Sequence, residues 1–265
     1  MHVIAVSNQK GGVGKTTTAL SLASSLALTG KRVLCVDMDP QGNLSCGLGV
    51  EVPDGGTTLY EVMTTRSSLA SAAYPVPHRG MENLEVVPAG PRLARAEVEL
   101  MGQVGFDEVL KHKLTAQDGW DVAVLDCPPS LGALTINAIG AADLVLSPVQ
   151  CEFFSARGVV KLVEVVELVR QRRNPRLMFR VVPTLYDRRN NICRAVLAEL
   201  RKEFGHEVSS VVVGVDTRMR EAQAQATPIC LYSPRSRSSL AYEALARELY
   251  SIFSAPQGGL HVQAA

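Results

Sequence analysis

Apolar residues along this chain fall into short unbroken runs separated by stretches with helical spacing. Val3 to Ser7 is a β-branched run that stops at a glycine-rich loop, and Leu20, Leu22, Ala23, Leu26 and Ala27 then recur at helical spacing over Thr16 to Leu28. Gly30 closes that helix, and RVLCVDMD reads as the next strand. LEVVPAG (84–90) predicts a short strand closed by Pro and Gly, and Arg92 to Leu114 a mostly helical segment interrupted near Gly102 and Gly105. DVAVLDCPP (121–129) and DLVLSPV (143–149) predict buried strands, and Val159 to Arg172 predicts a long amphipathic helix. MFRVVPT (178–184), a helix over Ile192 to Phe204, a strand at VSSVVVGV (208–215) and a closing helix over Ser239 to Phe253 continue the alternation. Strands alternating with helices of this length pair in parallel through right-handed crossovers, with both sheet faces covered.

Composition narrows the class without naming a chemistry. A chain of 265 residues, 46% hydrophobic and 20% charged, buries a sizeable core as a soluble globular protein. Its 27 basic and 26 acidic residues nearly cancel, so any nucleic-acid surface must be local. The six cysteines form no C-x-x-C pair, which fits a reduced, cytoplasmic setting. No window approaches a membrane span in length, and the apolar start MHVIAVSNQ is too short for a signal peptide. Residues 50–80, rich in Gly, Pro, Ser and Thr, are expected to form a variable excursion of short helices and loops on the rim. No repeat or second boundary is evident, so residues 1–254 read as a single domain and 255–265 as a flexible tail.

The candidate chemistry begins at NQKGGVGKTTT (8–18). Gly11, Gly12 and Gly14 let consecutive backbone N–H groups turn inward as an anion nest, and the following helix adds its positive end. Lys15 is placed to reach the outer phosphates of a nucleotide and the Thr16 hydroxyl to ligate magnesium. A bland glycine turn beside a surface lysine would not need the strand–loop–helix order that surrounds it. The expected fold is therefore α/β, a three-layer P-loop NTPase fold with a mostly parallel, helix-covered central sheet. The loop also departs from G-x-x-x-x-G-K-[ST]: Gln9 stands where the first glycine belongs, and Lys10 is a surplus lysine. Asp126 ends an apolar strand where open α/β sheets place their ligands, and is the candidate metal-holding acid. Asp37 and Asp39 leave the strand in VLCVDMDPQGN and are expected to diverge, with only one easily facing the phosphates. The spacing does not say which.

KGGVGKTTT, VDMDPQGNLS, DCPPSLG, SPVQCEFFSARG and TLYDRRNNICRAV, in this order, resemble the ParA/Soj partition ATPases of the wider deviant-Walker group that includes MinD. The resemblance runs from residue 3 to about 253 and is weakest between about 50 and 80. It implies an ATP- and Mg2+-dependent ATPase that forms a face-to-face homodimer when ATP is bound. Lys10, Gly11, Gly12, Val13, Gly14, Lys15, Thr16 and Thr17 are the implied nucleotide-binding residues, with Lys10 reaching the phosphates held by the other subunit. Asp39 is then the acid associated with orienting the hydrolytic water, and Asp126 the magnesium-side acid. A cation supplied in trans is well suited to charge developing on a transferring phosphoryl group.

The same resemblance implies non-specific binding of double-stranded DNA by the dimer, a ParB-like partner that stimulates hydrolysis, and a nucleoid-associated location. Arginines cluster at 170–176, 188–189, 218–220 and 235–237, and Arg189 and Arg218 fall where related proteins carry DNA-contacting arginines. Where relatives commonly read I-P-R-N-V-R-L-x-E-A, this chain reads VGVDTRMREA (213–222), placing Gly214 and Asp216 near the nucleotide base. Met1 stands almost at the first strand, so no N-terminal DNA-binding domain is expected. An orphan ParA-like or MinD-like ATPase that positions a protein cargo is the alternative. The membrane form of that alternative would need an apolar, basic-flanked C-terminal helix, whereas YEALARELYSIFSAPQGG mixes Glu243, Arg247 and Glu248. No membrane partner is expected. An iron–sulfur reductase would need a cysteine pattern that Cys127 alone does not supply.

Overall fold

The computed structural model describes residues 1–152 and 155–254, with the backbone alone described at 155–158. Its strands are β1 (His2–Val6), β2 (Val33–Asp37), β3 (Tyr74–Pro75), β4 (Leu84–Val87), β5 (Val122–Asp126), β6 (Leu144–Gln150) and β7 (Met178–Thr184). They form one sheet in the order β3-β4-β2-β5-β1-β6-β7, parallel throughout except at the β3–β4 edge. The helices are α1 (Lys15–Leu28), α2 (Asn43–Gly47), α3 (Leu59–Thr64), α4 (Leu93–Met101), α5 (Val109–Thr115) and α6 (Ala133–Ala141). After these come α7 (Ser155–Arg172), α8 (Asn191–Phe204), α9 (Thr217–Ala224), α10 (Ile229–Tyr232) and α11 (Arg237–Ser254).

The unbroken apolar runs have a simple cause: alternate residues of each central strand enter different cores. Val3 and Ala5 of β1, Leu34 and Val36 of β2, and Ala123 and Leu125 of β5 join α3 to α8 on one face. Ile4 and Val6, Val33 and Cys35, and Val122 and Val124 join α1, α9, α10 and α11 on the other. This is the expected α/β, three-layer P-loop NTPase architecture. No helix among the described residues is long and apolar enough to cross a membrane.

Three local expectations change. VSSVVVGV is not a strand; it touches the β7 edge through isolated parallel bridges at Val181–Val208 and Tyr186–Gly214. Ser209 and Val213 donate to the carbonyls of Val181 and Pro183, both at 2.8 Å, so residues 181 and 183 face this segment. Pro183 has no N–H to return the bond, and the ladder breaks there. The 50–80 excursion is also more than rim. Its short helix α3 starts in a capping box of Thr58 and Glu61, Leu59, Val62, Leu69 and Ala72 are fully buried, and β3 adds an antiparallel edge strand. Finally, α6 lies in a stretch with no helical assignment from sequence; most of its residues are buried, so it shows no amphipathic period. The expected flexible tail, 255–265, lies outside the described residues, as do Phe153 and Phe154.

Candidate nucleotide site

The loop between β1 and α1 is held from beneath by side chains of other strands. Asn8 is buried; its Nδ2 donates to the Pro148 carbonyl at 2.8 Å and its Oδ1 accepts from the Lys10 backbone N–H at 2.9 Å. Thr184 Oγ1, at the end of β7, donates to the Val13 carbonyl at 2.8 Å. Gly12 (φ 74°) and Gly14 (φ 87°) take the left-handed conformation that favours glycine. A Cβ on Gly11, Gly12 or Gly14 would meet nothing within 4 Å, so the space above the loop is open. No side chain caps α1, leaving its first-turn N–H groups directed at that space. Lys15 is 8% exposed, and its Nζ donates to the Lys10 carbonyl at 3.1 Å. Burial lowers its pKa, while Asp126, Cys127 and Asp39 face it and pull the other way.

Two carboxylates end neighbouring strands in register, Asp37 on β2 and Asp126 on β5, and both are fully buried. Their surroundings differ. Asp37 Oδ2 accepts from the Ser45 backbone at 3.0 Å and the Ser45 hydroxyl at 2.8 Å, and Oδ1 from the Asp39 N–H at 3.3 Å. Neither oxygen of Asp126 has a hydrogen-bond partner among the described residues. Burial pushes the Asp37 pKa up to about 6 despite the Ser45 bonds. It pushes Asp126 well above the usual carboxylate range, with the Asp37 charge adding to the rise. Thr16 and Lys15 act on Asp126 in the opposite sense, the Thr16 hydroxyl facing it without closing a hydrogen bond. A buried carboxylate with both oxygens bare is costly unless a cation meets it. With the Thr16 hydroxyl opposite, the donor set suits a hard divalent ion such as magnesium.

Asp37 and Asp39 do diverge, but not by strand alternation, which places residues two apart on one face. β2 ends at Asp37 and the chain turns. Asp39 is half-buried, and its Oδ1 accepts from the Gln41 N–H at 3.0 Å. Of the two acids, Asp37 is the one consumed by structure.

Lys10 stands on the rim rather than in the cradle. Its Nζ lies 3.5 Å from Glu152 Oε2, with the two side chains 34% and 59% exposed. Glu152 also accepts from Gln150 Nε2 at 2.6 Å. On the α9 side, Gln223 Nε2 donates to Thr17 Oγ1 at 2.8 Å. Asp216, the departure noted in VGVDTRMREA, is occupied as a cap: its Oδ1 accepts from the Arg218 N–H at 3.1 Å, and its Oδ2 from the Ser238 N–H at 3.2 Å. One carboxylate thus holds the starts of α9 and α11. Gly214 is used through its backbone, where a Cβ would come within 3.4 Å of the Tyr186 carbonyl.

The Tyr186–Gly214 bridge brings the loops of Arg189 and Arg218 to one end of the molecule. Arg189 is held by Asp187 through Nε–Oδ1 (3.0 Å) and Nη2–Oδ2 (2.8 Å), bonds that lower the Asp187 pKa to about 2. Arg218 Nη1 donates to Ser233 Oγ at 3.0 Å, and Arg237 Nη2 reaches the Val215 carbonyl at 3.4 Å between the two loops. Asn8, Ser45, Thr184, Glu152 and Gln223 went unread in the sequence. Asn8 was visible inside the loop motif; the others are set by contacts distant in the chain.

A glycine cradle after an interior strand, entering a helix and faced by a buried acid from the neighbouring strand, defines an α/β P-loop nucleoside triphosphatase. A family profile described as an AAA domain matches residues 1–179. The chain is 42% identical over 249 residues to the sporulation initiation inhibitor protein Soj of Bacillus subtilis, covering 93% of this chain and 97% of that one. It is 42% identical over 255 residues to the chromosome partitioning protein ParA of Caulobacter vibrioides, covering 95% and 94%. A solved structure of cobyrinic acid a,c-diamide synthase from Mycobacterium smegmatis, with bound ATP analogue and magnesium, superimposes with a TM-score of 0.80 at 35% identity over 96% of each chain. The chain belongs to the ParA/Soj family of P-loop ATPases.

Proposed function

We propose that this protein is a magnesium-dependent ATPase that drives chromosome or plasmid partition. It closes face to face as a homodimer around two ATP molecules and binds double-stranded DNA without sequence preference in that state. A ParB-like partner accelerates an otherwise slow hydrolysis, and the protein works in the cytoplasm on the nucleoid. The names of the Soj and ParA relatives support the role, and the ATP analogue and magnesium of the Mycobacterium smegmatis structure support the cofactors.

The observation that carries the dimer is the divergence of the two lysines of one loop. Lys15 is buried and faces Asp126, whereas Lys10 is a third exposed and paired with Glu152 at the rim. Lys15 serves the phosphates of its own subunit, and Lys10 is supplied to the partner's. Gly11 to Gly14 and the α1 start cradle the phosphates, with Val13 anchored below and Thr17 at the first turn. Thr16 and Asp126 hold magnesium, which supplies charge neutralisation at the transferring phosphoryl group. Asp39, half-buried beside these groups, orients the attacking water. Arg189 and Arg218 contact DNA phosphates, which gives binding that depends on salt rather than sequence.

ATP hydrolysis with and without duplex DNA, measured beside solution mass, tests the reading in three proteins. Wild type dimerises with ATP, Asp39→Ala keeps the ATP-dependent dimer without turnover, and Lys10→Ala loses both. A Lys10→Ala protein that hydrolyses ATP normally as a monomer would overturn the shared-site mechanism.

A further inference from the structure

Three consecutive threonines open α1, and each hydroxyl meets a different partner. Thr16 faces Asp126, and Thr18 Oγ1 lies 3.1 Å from the Tyr242 hydroxyl in the core. Thr17 is half-buried, and its Oγ1 accepts from Gln223 Nε2 at 2.8 Å. A hydroxyl has one proton to give. With Gln223 as its donor, Thr17 keeps that proton, and no group among the described residues accepts it. Gln223 is itself exposed, yet the helix that presents it is fixed at both ends. Asp216 caps the start of α9, and at its far end the Ala226 and Thr227 N–H groups bond the Gln223 and Ala222 carbonyls, both at 3.0 Å. Ala226 takes the left-handed conformation there (φ 47°), and its carbonyl accepts from His78 Nε2 at 2.8 Å. Ala222, beside Gln223, is buried. The Thr17 contact is therefore not what keeps α9 in place, although ordering a glutamine side chain costs entropy.

We propose that Gln223 is a positioning residue of the nucleotide site: its amide holds the Thr17 hydroxyl so that the Thr17 proton is reserved for a phosphate oxygen of the bound nucleotide. The inference rests on the proposed contact between Thr17 and nucleotide, and adds the residue that sets its direction. Left alone, a threonine in a helix turns its proton back on the carbonyl three or four residues earlier. A donor at Thr17 Oγ1 opposes that turn, because the oxygen must present a lone pair to the amide. Accepting from the amide also polarises the hydroxyl and makes it a better donor in its turn. A phosphate oxygen is the acceptor that gains most, since a hydrogen bond to an anion is about twice as strong as one between neutral groups. Gln223 acts through Thr17 and from a helix outside the loop motif, so nothing in the spacing of that motif announces it.

Isothermal titration of the nucleotide-free full chain with ADP and magnesium tests this without hydrolysis, DNA or a dimer. Gln223→Ala is expected to weaken ADP binding by about three- to tenfold, the size of one neutral hydrogen bond. Thr17→Val weakens it as well, and Gln223→Ala then adds no further loss in the Thr17→Val background. The direction of the bond is read by two further variants. Gln223→Glu can only accept, so it captures the Thr17 proton, sets a charge beside the phosphates and binds ADP more weakly than Gln223→Ala. Gln223→Lys restores a donor and is expected to bind at least as tightly as wild type. Because Gln223 is exposed, all three substitutions leave the fold intact, which thermal melts report. The proposal is overturned if Gln223→Ala binds ADP like wild type, if its loss is the same in the Thr17→Val background, or if Gln223→Glu binds as tightly as wild type. A Thr17→Val protein with unchanged ADP affinity would overturn the Thr17 contact and this inference with it. A wild type that binds no ADP would overturn the ATPase reading itself.

Discussion

The inner wall of the nucleotide site and its outer rim are built on opposite plans. On the wall, Asn8, Thr184 and Ser45 each spend a polar side chain holding the backbone or a carboxylate in place, and Lys15, Asp37 and Asp126 are buried. On the rim, Lys10, Arg189 and Arg218 are exposed or nearly so and are held by contacts that water or a phosphate can replace. Burial makes the wall's charges costly to leave unmet, so the wall is specific for what fills it. The rim's charges are cheap to redirect, because surface ion pairs contribute little to stability. A wall suited to a small ion and phosphates, and a rim whose charges can be redirected, are what the proposed ATP-driven switch requires.

The largest break in that contrast comes from the wall. Asp126→Asn keeps the shape of the side chain and removes its charge, so hydrolysis of ATP with magnesium is expected to fall by about 10²- to 10³-fold, as when one preorganised electrostatic partner is lost. The nucleotide-free variant is expected to melt close to wild type at neutral pH, because burial already holds the Asp126 carboxyl in its protonated form and the amide replaces a neutral group. Thermal melts and steady-state turnover on one preparation check both. Unchanged turnover would remove Asp126 from the metal site.

A smaller effect sharpens the comparison within the wall. The Asp37 pKa is raised from 3.8 to about 6 in the fold, so the folded protein keeps a proton that the unfolded chain has already lost. The sign follows: this stabilisation is fully present below the unfolded value and is lost as pH rises through about 6. A shift of this size corresponds to about 3 kcal/mol for a group buried this deeply. Urea midpoints of the nucleotide-free protein are therefore expected to be lower at about pH 7.5 than at about pH 5. A flat profile would show that Asp37 ionises at its ordinary pH.

The wall was far more legible than the rim. Gly11 to Thr16 and Asp126 stood out because the strand–loop–helix order and a strand-ending acid are local patterns. Parallel strands were legible for the same reason, since two-sided burial writes unbroken apolar runs. VSSVVVGV misled because composition reports burial against β7, whereas pairing depends on the N–H that Pro183 lacks. Ser45 and Thr184 were unreadable because their partners, Asp37 and Val13, lie elsewhere in the chain. Asp216 was read beside the base site; its carboxylate is also divided between two helix starts, a role that no spacing announces.

The smallest expected effect lies on the rim and turns on what holds each arginine. Arg189 starts with the Nε–Nη2 edge of its guanidinium held by both oxygens of Asp187, while Arg218 gives one bond to a neutral hydroxyl, Ser233. To turn its held donors to a phosphate, Arg189 must leave a carboxylate and Arg218 only a serine. Replacing either by Ala is expected to lower DNA affinity several-fold and to reduce the slope of log affinity against log salt by about one, without changing ATP affinity of the monomer. The difference in hold predicts an order: Arg218→Ala weakens binding more than Arg189→Ala. Asp187→Asn supplies the complementary arm. Freed from its carboxylate, Arg189 is expected to bind DNA more tightly, and the Arg189→Ala loss then grows when measured in the Asp187→Asn background. Filter binding across a salt series resolves the three single variants and the double variant. If Asp187→Asn leaves affinity unchanged while Arg189→Ala lowers it, the carboxylate moves with its arginine, and the rim is less free to redirect its charges than its exposure suggests.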